Sequence, residues 1–123
     1  MRVLYVDDDR VNSLLFAELC RLAPGVQVDL AGTAEEAVDA LTRQGPDLLV
    51  LDLHLPDGDG LTLLPRLRRL AARALPAYLC SADEPEQVQA SARQAGFDGC
   101  WSKPLNVQAV LADLMRHAAQ VAP

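Results

Sequence analysis

Each of four short apolar runs in this sequence ends in a polar side chain that can take part in catalysis or metal binding. The end residues are three carboxylates, a hydroxyl and an ammonium: Asp7, Asp8, Asp52, Ser81 and Lys103. Three carboxylates held close together repel one another, and a hard divalent cation relieves that repulsion. Oxygen ligands suit Mg²⁺ better than Zn²⁺, which prefers cysteine and histidine. If the runs converge, the sequence therefore predicts a Mg²⁺ site.

Asp52 follows the most apolar of these runs. The four branched aliphatics Leu48–Leu51 are typical of a strand that is buried on both faces. Pro56, Gly58 and Gly60 then interrupt the chain, which leaves Asp52 at the carboxyl end of the strand, where open α/β sheets bind their ligands. Taken alone, an aspartate in this place more often ends a strand or caps the next helix. Its neighbours on other strands decide the interpretation.

The elements that would position these residues alternate along the chain. The predicted strands are Val3–Val6, Val26–Ala31, Leu48–Leu51, Ala77–Cys80 and Gly99–Ser102. The predicted helices carry apolar residues at helical spacing, namely Val11, Leu14, Leu15, Leu19 and Leu22; Ala37, Val38 and Leu41; Leu61, Leu64, Leu67 and Leu70; Val88, Ala92 and Ala95; Val107, Val110, Leu111 and Leu114. Five strand-then-helix units predict a parallel sheet with helices on both faces. The carboxyl ends of parallel strands meet at one edge, so the five polar residues are expected to converge there.

Cap and turn residues mark the ends of several helices. Thr33 followed by Glu36 is a capping-box signature at the start of the second helix. Asn106 can cap the last helix, and Pro24 with Gly25 stops the first.

Length and composition limit the classes of protein to which the chain can belong. Its 123 residues predict a single domain over 1–123. A net charge of −6 argues against direct binding of nucleic acid, which needs a cationic surface. No apolar run approaches the roughly 20 residues that span a bilayer, and no signal segment begins the chain. These features predict a soluble, cytoplasmic protein without a membrane partner, in which Cys20, Cys80 and Cys100 are reduced thiols.

The sequence resembles the receiver domain of two-component response regulators. The motifs that carry the resemblance are Val6-Asp7-Asp8, the stretch Asp52–Gly60, Ser81-Ala82 and Lys103-Pro104, in this order along almost the whole chain. The resemblance implies a flavodoxin-like (βα)5 fold whose five-stranded parallel sheet has the order 2-1-3-4-5. It also implies a cis peptide bond between Lys103 and Pro104.

The resemblance further implies a phosphorylation switch. Asp52 would accept a phosphoryl group from the phosphohistidine of a sensor histidine kinase or a histidine phosphotransfer protein. The residues that would hold Mg²⁺ are Asp7, Asp8, Asp52 and, through its main-chain carbonyl, His54, while Ser81 and Lys103 would bind phosphoryl oxygens. The domain would be a signalling module and not an enzyme. It would act on a downstream protein or a missing output domain through the fourth helix, fifth strand and fifth helix, which are also the expected homodimer surface.

The chain departs from the family pattern at Cys100, where many receivers carry a tyrosine or phenylalanine that swings inward during signalling. Trp101 is the next residue. One hypothesis is that signal transmission through this position is weakened or rerouted; the alternative is that Cys100 only fills space. His54 and Asp83 occupy places that in the family influence how long the phosphoryl group lasts, and Asp83 either orients a water molecule or is a solvated surface residue.

Two other functions remain as alternatives. The first is a degenerate receiver that docks a partner without being phosphorylated, although the intact set of polar residues argues against it. The second is a Mg²⁺-dependent phosphatase with an aspartate nucleophile. Such enzymes normally have a second aspartate two residues after the nucleophile, and this chain has His54 there.

Overall fold

A computed structural model of the chain, which describes residues 1–71 and 73–121, contains a central parallel sheet with helices on both faces. The strands are β1 (Arg2–Val6), β2 (Gln27–Ala31), β3 (Leu48–Asp52), β4 (Ala77–Ser81) and β5 (Gly99–Ser102). The helices are α1 (Arg10–Cys20), α2 (Ala34–Arg43), α3 (Gly60–Ala71), α4 (Pro85–Ala95) and α5 (Val107–Val121). The loop after β3 adds a small antiparallel hairpin of two-residue strands, His54–Leu55 and Gly58–Asp59, which we call the loop hairpin.

The sheet has the order β2-β1-β3-β4-β5, and all four neighbouring pairs are parallel. This confirms the predicted flavodoxin-like fold and strand order. The central strand β3 and its neighbour β4 are buried at every position, because helices cover both of their faces. The loop hairpin was not predicted.

The core consists of two layers, one on each face of the sheet. On one face, which we call the α1/α5 face, side chains of the strands pack against α1 and α5; on the other, the α2/α3/α4 face, they pack against the remaining three helices. Successive residues of a strand alternate between the two faces. Tyr78 and Cys80 therefore pack in the α1/α5 layer, whereas Leu79 between them packs in the other layer.

The apolar stripe that predicts α1 does not form the inner side of that helix. Of its five members only Leu19 is buried, and the other four are more than half exposed: Val11, Leu14, Leu15 and Leu22. The buried residues of α1 are instead Ser13, Phe16, Leu19 and Cys20. Apolar residues occur on both sides of this helix, so spacing alone does not identify its inner side; the large Phe16 ring occupies the interior. Leu70 in α3 and Val107 in α5, which also belong to predicted apolar stripes, are about half exposed.

The predicted caps form. The Thr33 hydroxyl accepts a hydrogen bond from the Glu36 N–H at 3.0 Å, and the Glu36 carboxylate accepts one from the Gly32 N–H at 2.8 Å. The Asn106 side chain accepts from the Ala109 N–H at 2.9 Å at the start of α5. These bonds satisfy N–H groups that have no partner within the helix.

Two further expectations concern the cysteines and the membrane. All three cysteines are free thiols; Cys20 and Cys80 are buried and Cys100 is half-buried. Within the described residues, no helix has both the length and the apolar character that a bilayer crossing requires.

Candidate functional site

The carboxyl ends of β1 and β3 bring three acidic side chains together. One carboxylate oxygen each of Asp7, Asp8 and Asp52 lies within 4.8 Å of the others. We call this group the carboxylate cluster. Asp7 and Asp52 are buried, at 2% and 8% exposure, whereas Asp8 is exposed. In each strand the buried aspartate continues the alternation of side chains on the α1/α5 face, after Tyr5 in β1 and after Val50 in β3.

Lys103 joins the two buried carboxylates. Its ammonium nitrogen Nζ lies 2.7 Å from Asp7 Oδ2 and 3.2 Å from Asp52 Oδ2. The lysine follows β5, where its backbone N–H donates to the Ser81 carbonyl at 2.9 Å, and the peptide bond to Pro104 is cis, as predicted. Lys103 is the only lysine in the sequence.

Asp52 occupies an environment that disfavours its charge. Burial raises the pKa of Asp52, and the nearby charge of Asp7 raises it further. The Lys103 ammonium acts in the opposite direction without cancelling the shift. A further cation beside Asp52 would therefore favour its ionised, nucleophilic form.

Asp7 differs from Asp52 because it receives more hydrogen bonds. Burial alone would raise the pKa of Asp7, but bonds from Lys103, from the Asp9 N–H and from the Tyr5 hydroxyl outweigh burial and lower it. The two carboxylates in turn raise the pKa of Lys103, despite its burial. Asp7 is thus held as a carboxylate and Lys103 as an ammonium.

Two contacts of Asp7 were not foreseen from the sequence. Its Oδ2 accepts a hydrogen bond from the Tyr5 hydroxyl at 3.0 Å, and its Oδ1 accepts one from the Asp9 N–H at 2.9 Å. A tyrosine within an otherwise aliphatic buried strand was the available signal for the first contact, because buried tyrosine hydroxyls usually find a hydrogen-bond partner.

Ser81 ends β4, the strand next to β3, and is 2% exposed. Its hydroxyl oxygen accepts a hydrogen bond from the Asp83 N–H at 2.9 Å, which leaves the hydroxyl proton free to be donated. Asp83 also approaches His54, with 2.8 Å between His54 Nε2 and Asp83 Oδ2. This contact links the loop after β3 to the loop after β4. The sequence singled out both residues but not their contact.

Close packing requires glycine at position 60, the last position of the motif that begins at Asp52. Gly60 opens α3, and its N–H donates to the Leu53 carbonyl at 3.0 Å. A Cβ atom at Gly60 would lie 2.5 Å from the Asp52 carbonyl oxygen and 2.9 Å from Leu79 Cδ1. A side chain here would push α3 away from the strand that carries Asp52.

The donor chemistry of the carboxylate cluster fits Mg²⁺. Its donors are carboxylate oxygens, which are the protein ligands that this hard cation takes, usually one or two together with water or phosphate oxygens. The contact between Lys103 and both buried aspartates provides positive charge beside the same oxygens. The arrangement suits a reaction in which negative charge develops next to Asp52.

Comparison with known proteins adds an independent finding. The family described as the response regulator receiver domain matches residues 3–115. The KDP operon transcriptional regulatory protein KdpE of Escherichia coli is 36% identical over 126 residues, which cover 98% of this chain and 54% of KdpE. The sensory/regulatory protein RpfC of Xanthomonas campestris is 33% identical over 122 residues, which cover 97% of this chain and 16% of RpfC. The chain thus spans only part of the length of these relatives.

Solved structures agree in fold. A two-component response regulator from Clostridium difficile has a TM-score of 0.88 at 26% identity, over 100% of this chain and 99% of that one. A CheY-like receiver domain protein from Methanospirillum hungatei has a TM-score of 0.84 at 24% identity, over 97% of this chain and 94% of that one.

Proposed function

This chain belongs to the family of response regulator receiver domains, and from that premise we propose that Asp52 accepts a phosphoryl group. The donor is the phosphohistidine of a sensor histidine kinase or of a histidine phosphotransfer protein. The observation that carries the proposal is the placement of the Lys103 ammonium, 2.7 Å from Asp7 and 3.2 Å from Asp52, within the carboxylate cluster. This placement supplies positive charge where a phosphoryl group on Asp52 would need it.

In the proposed reaction Asp52 is the nucleophile. One of its carboxylate oxygens forms a bond to phosphorus while the bond from phosphorus to the donor imidazole nitrogen breaks, and that nitrogen keeps the electron pair. The protein contributes little covalent chemistry beyond this oxygen. Its main task is to position the nucleophile and to neutralise charge on the phosphoryl oxygens.

Lys103 and Ser81 are the proposed ligands of the phosphoryl oxygens. Lys103 donates from its ammonium, and the unengaged Ser81 proton can be donated from the neighbouring strand. Asp7, Asp8, Asp52 and the main-chain carbonyl of His54 would hold Mg²⁺. When bound, the ion would supply further neutralisation of charge on the transferring group.

The output of the domain is part of the same proposal. We infer a signalling module that changes the binding of a downstream protein or of an output domain when Asp52 is phosphorylated. The surface formed by α4, β5 and α5 is the proposed contact, including contact with a second copy of the chain. The net charge of −6 supports partners other than nucleic acid.

Mass spectrometry of the intact protein tests the proposed acceptor. With Mg²⁺ and a small phosphodonor such as acetyl phosphate, the wild type should gain one labile phosphoryl group, and Asp52→Asn should gain none. Asp57→Asn is the matched control, because it removes an exposed carboxylate from the same loop and should leave uptake intact. A folded wild type that gains no phosphoryl group would contradict the proposal and favour the receiver that only docks a partner.

Lys103 gives a graded test of the charge argument. Lys103→Met should slow phosphoryl uptake about 10²- to 10³-fold, the usual effect of losing one charge-stabilising donor. Lys103→Arg keeps the charge with a different shape, so its rate should fall between those of the wild type and Lys103→Met. Equal rates for the wild type and Lys103→Met would exclude a role of the ammonium in the transfer.

A further inference from the structure

Tyr5 connects the carboxylate cluster to the interior of the protein. The residue is 1% exposed, and its hydroxyl donates to Asp7 Oδ2, the same oxygen that Lys103 approaches at 2.7 Å. Asp7 Oδ1 accepts from the Asp9 N–H. Both oxygens of this aspartate are therefore directed by neighbours, and any change in the orientation of Asp7 alters the hydrogen bond that holds the Tyr5 ring.

A row of four neighbouring aromatic rings, made of two stacked pairs, begins at Tyr5. Its ring lies nearly parallel to that of Phe16, with 4.3 Å between the centroids. Phe16 lies 6.2 Å from Trp101, and Trp101 is stacked on Tyr78 at 4.6 Å. We call these four rings the aromatic column. Rings packed at such distances in a dense core do not shift independently, because a gap or overlap is costly.

The far end of the aromatic column is attached to α5 by hydrogen bonds. The Trp101 indole N–H donates to Asp113 at 2.8 Å, and the Arg116 guanidinium donates to the Tyr78 hydroxyl at 2.9 Å. The Tyr78 hydroxyl also lies 2.8 Å from His117 Nε2. The last two rings of the column, Trp101 and Tyr78, thus contact polar groups on the outer part of α5.

Space beside the column allows adjustment. A cavity of about 440 Å³ between α1 and the loop after β5 is lined by Tyr5, Phe16 and Lys103, among others. Tyr5, Phe16 and Lys103 are therefore packed less tightly on the side that borders this cavity than on their other sides. On the opposite face of the sheet, Cys100 packs against the aliphatic layer and offers no ring.

We propose that Tyr5 is a positioning residue for Asp7 and that it transmits the occupancy of the carboxylate cluster to α5 through the aromatic column. The proposal rests on the proposed function, since it takes cation binding and phosphorylation at that cluster as the input. It assigns the output to Asp113, Arg116 and His117 on α5. This route would take the place of the aromatic residue that many receivers carry at the position of Cys100.

Trp101 provides the measurement, because it is the only tryptophan in the sequence and gives a single indole N–H signal in a ¹H–¹⁵N spectrum. Adding Mg²⁺, and then beryllium fluoride as a phosphoryl mimic, should shift this signal in the wild type. Tyr5→Phe keeps the ring and loses the hydroxyl. It should need about 10-fold more Mg²⁺ to reach half saturation by calorimetry, as expected when a partner of a metal ligand is removed, and its indole shift should be smaller.

Phe16→Leu separates transmission from binding. This variant interrupts the column at its second ring without touching the carboxylate cluster, so it should bind Mg²⁺ with the wild-type midpoint and take up a phosphoryl group normally. Its indole signal should no longer respond to either ligand. Tyr78→Phe is the control for losing a tyrosine hydroxyl as such, and should leave the Mg²⁺ midpoint unchanged.

Two results would overturn the proposal. One is a Tyr5→Phe protein with the wild-type Mg²⁺ midpoint; the other is a Phe16→Leu protein whose indole signal shifts as in the wild type. Either can occur while Asp52 is phosphorylated normally, in which case only this proposal fails. A wild type that binds Mg²⁺ but gains no phosphoryl group would instead contradict the proposed function, and the Mg²⁺ titrations would still decide the role of Tyr5.

Discussion

The two faces of the sheet are built from different side chains. Four of the five aromatic residues pack on the α1/α5 face, as Tyr5, Phe16, Tyr78 and Trp101, while the α2/α3/α4 face is filled by leucine, valine and alanine with the single ring of Phe97. Aliphatic side chains fill space without directional contacts. Three of the four rings on the α1/α5 face carry a polar tip that is hydrogen-bonded.

The position of the carboxylate cluster gives this difference a functional meaning. Asp7 and Asp52 extend the same side of β1 and β3 as Tyr5 and Val50, so the buried acids lie over the aromatic layer. The aliphatic layer is linked to the site at its rim, where Asp57 accepts hydrogen bonds from the Ala34 and Glu35 N–H groups of α2. We infer that the aliphatic face stabilises the domain and the aromatic face also responds to the site.

Truncating one large side chain on each face should separate stability from response. Phe16→Ala should lower the free energy of unfolding by about 3–5 kcal/mol and Leu64→Ala by about 2–5 kcal/mol, because both side chains are fully buried. Urea denaturation measures these losses. The Trp101 indole signal should stop responding to Mg²⁺ and beryllium fluoride in Phe16→Ala and continue to respond in Leu64→Ala.

The reverse pattern, with the response lost in Leu64→Ala and kept in Phe16→Ala, would show that the faces have been assigned the wrong roles. If Phe16→Ala does not fold, Phe16→Leu provides the same comparison at a smaller cost in stability, because it removes less volume.

Larger side chains at two neighbouring positions of β5, Gly99 and Cys100, should lower the free energy of unfolding by different amounts. A Cβ at Gly99 would run into the Tyr78 ring, which is held between Trp101 and α5. Gly99→Ala should therefore cost about 1–3 kcal/mol. Cys100 points to the other face and borders a cavity of about 320 Å³, so Cys100→Tyr should cost less despite adding a whole ring. Thermal and urea denaturation compare the two variants, and a larger loss for Cys100→Tyr would contradict the contrast in packing.

The smallest expected effect concerns His117 at the outer end of the aromatic column. Burial lowers the pKa of His117 below its ordinary value of 6.5, and the charge of Arg116 lowers it further. The folded protein therefore binds fewer protons than the unfolded chain as the pH falls from 6.5 to the folded-state pKa. The free energy of unfolding should therefore decrease slightly as the pH falls through this range. Above this range His117 should not affect it.

An NMR titration of the His117 ring measures this pKa, and His117→Gln should remove its share of the pH dependence. A His117 pKa above 6.5 would mean that the ring is not packed against Tyr78 as the structure has it.

The alternation of strands and helices and the placement of the polar residues at the carboxyl edge followed from local patterns in the sequence. The strand order 2-1-3-4-5 came from the resemblance to receiver domains, because it depends on contacts between distant parts of the chain. Asp7, Asp8 and Asp52 were expected to converge, and they do. The inner side of α1 was not predictable from spacing, because apolar residues lie all around that helix. Its true interior is marked by Phe16, a residue that the periodic pattern omitted.

The side-chain contacts around the carboxylate cluster were beyond the sequence for a different reason. The bond from Tyr5 to Asp7 depends on side-chain directions at the end of one strand, and the contact of His54 with Asp83 joins loops 29 positions apart. The aromatic column needs the register of β4 and β5, which sets Cys80 opposite Trp101. None of these relations is encoded by the type or spacing of neighbouring residues.

The central claim is that Asp52 receives the phosphoryl group, and the most direct test locates that group chemically. The protein is phosphorylated with Mg²⁺ and acetyl phosphate and then reduced with borohydride, which converts an aspartyl phosphate to homoserine; peptide sequencing by mass spectrometry finds the altered residue. The account predicts homoserine at position 52 alone. Homoserine at Asp7, Asp8 or elsewhere, or none in a folded protein that binds Mg²⁺, would contradict it.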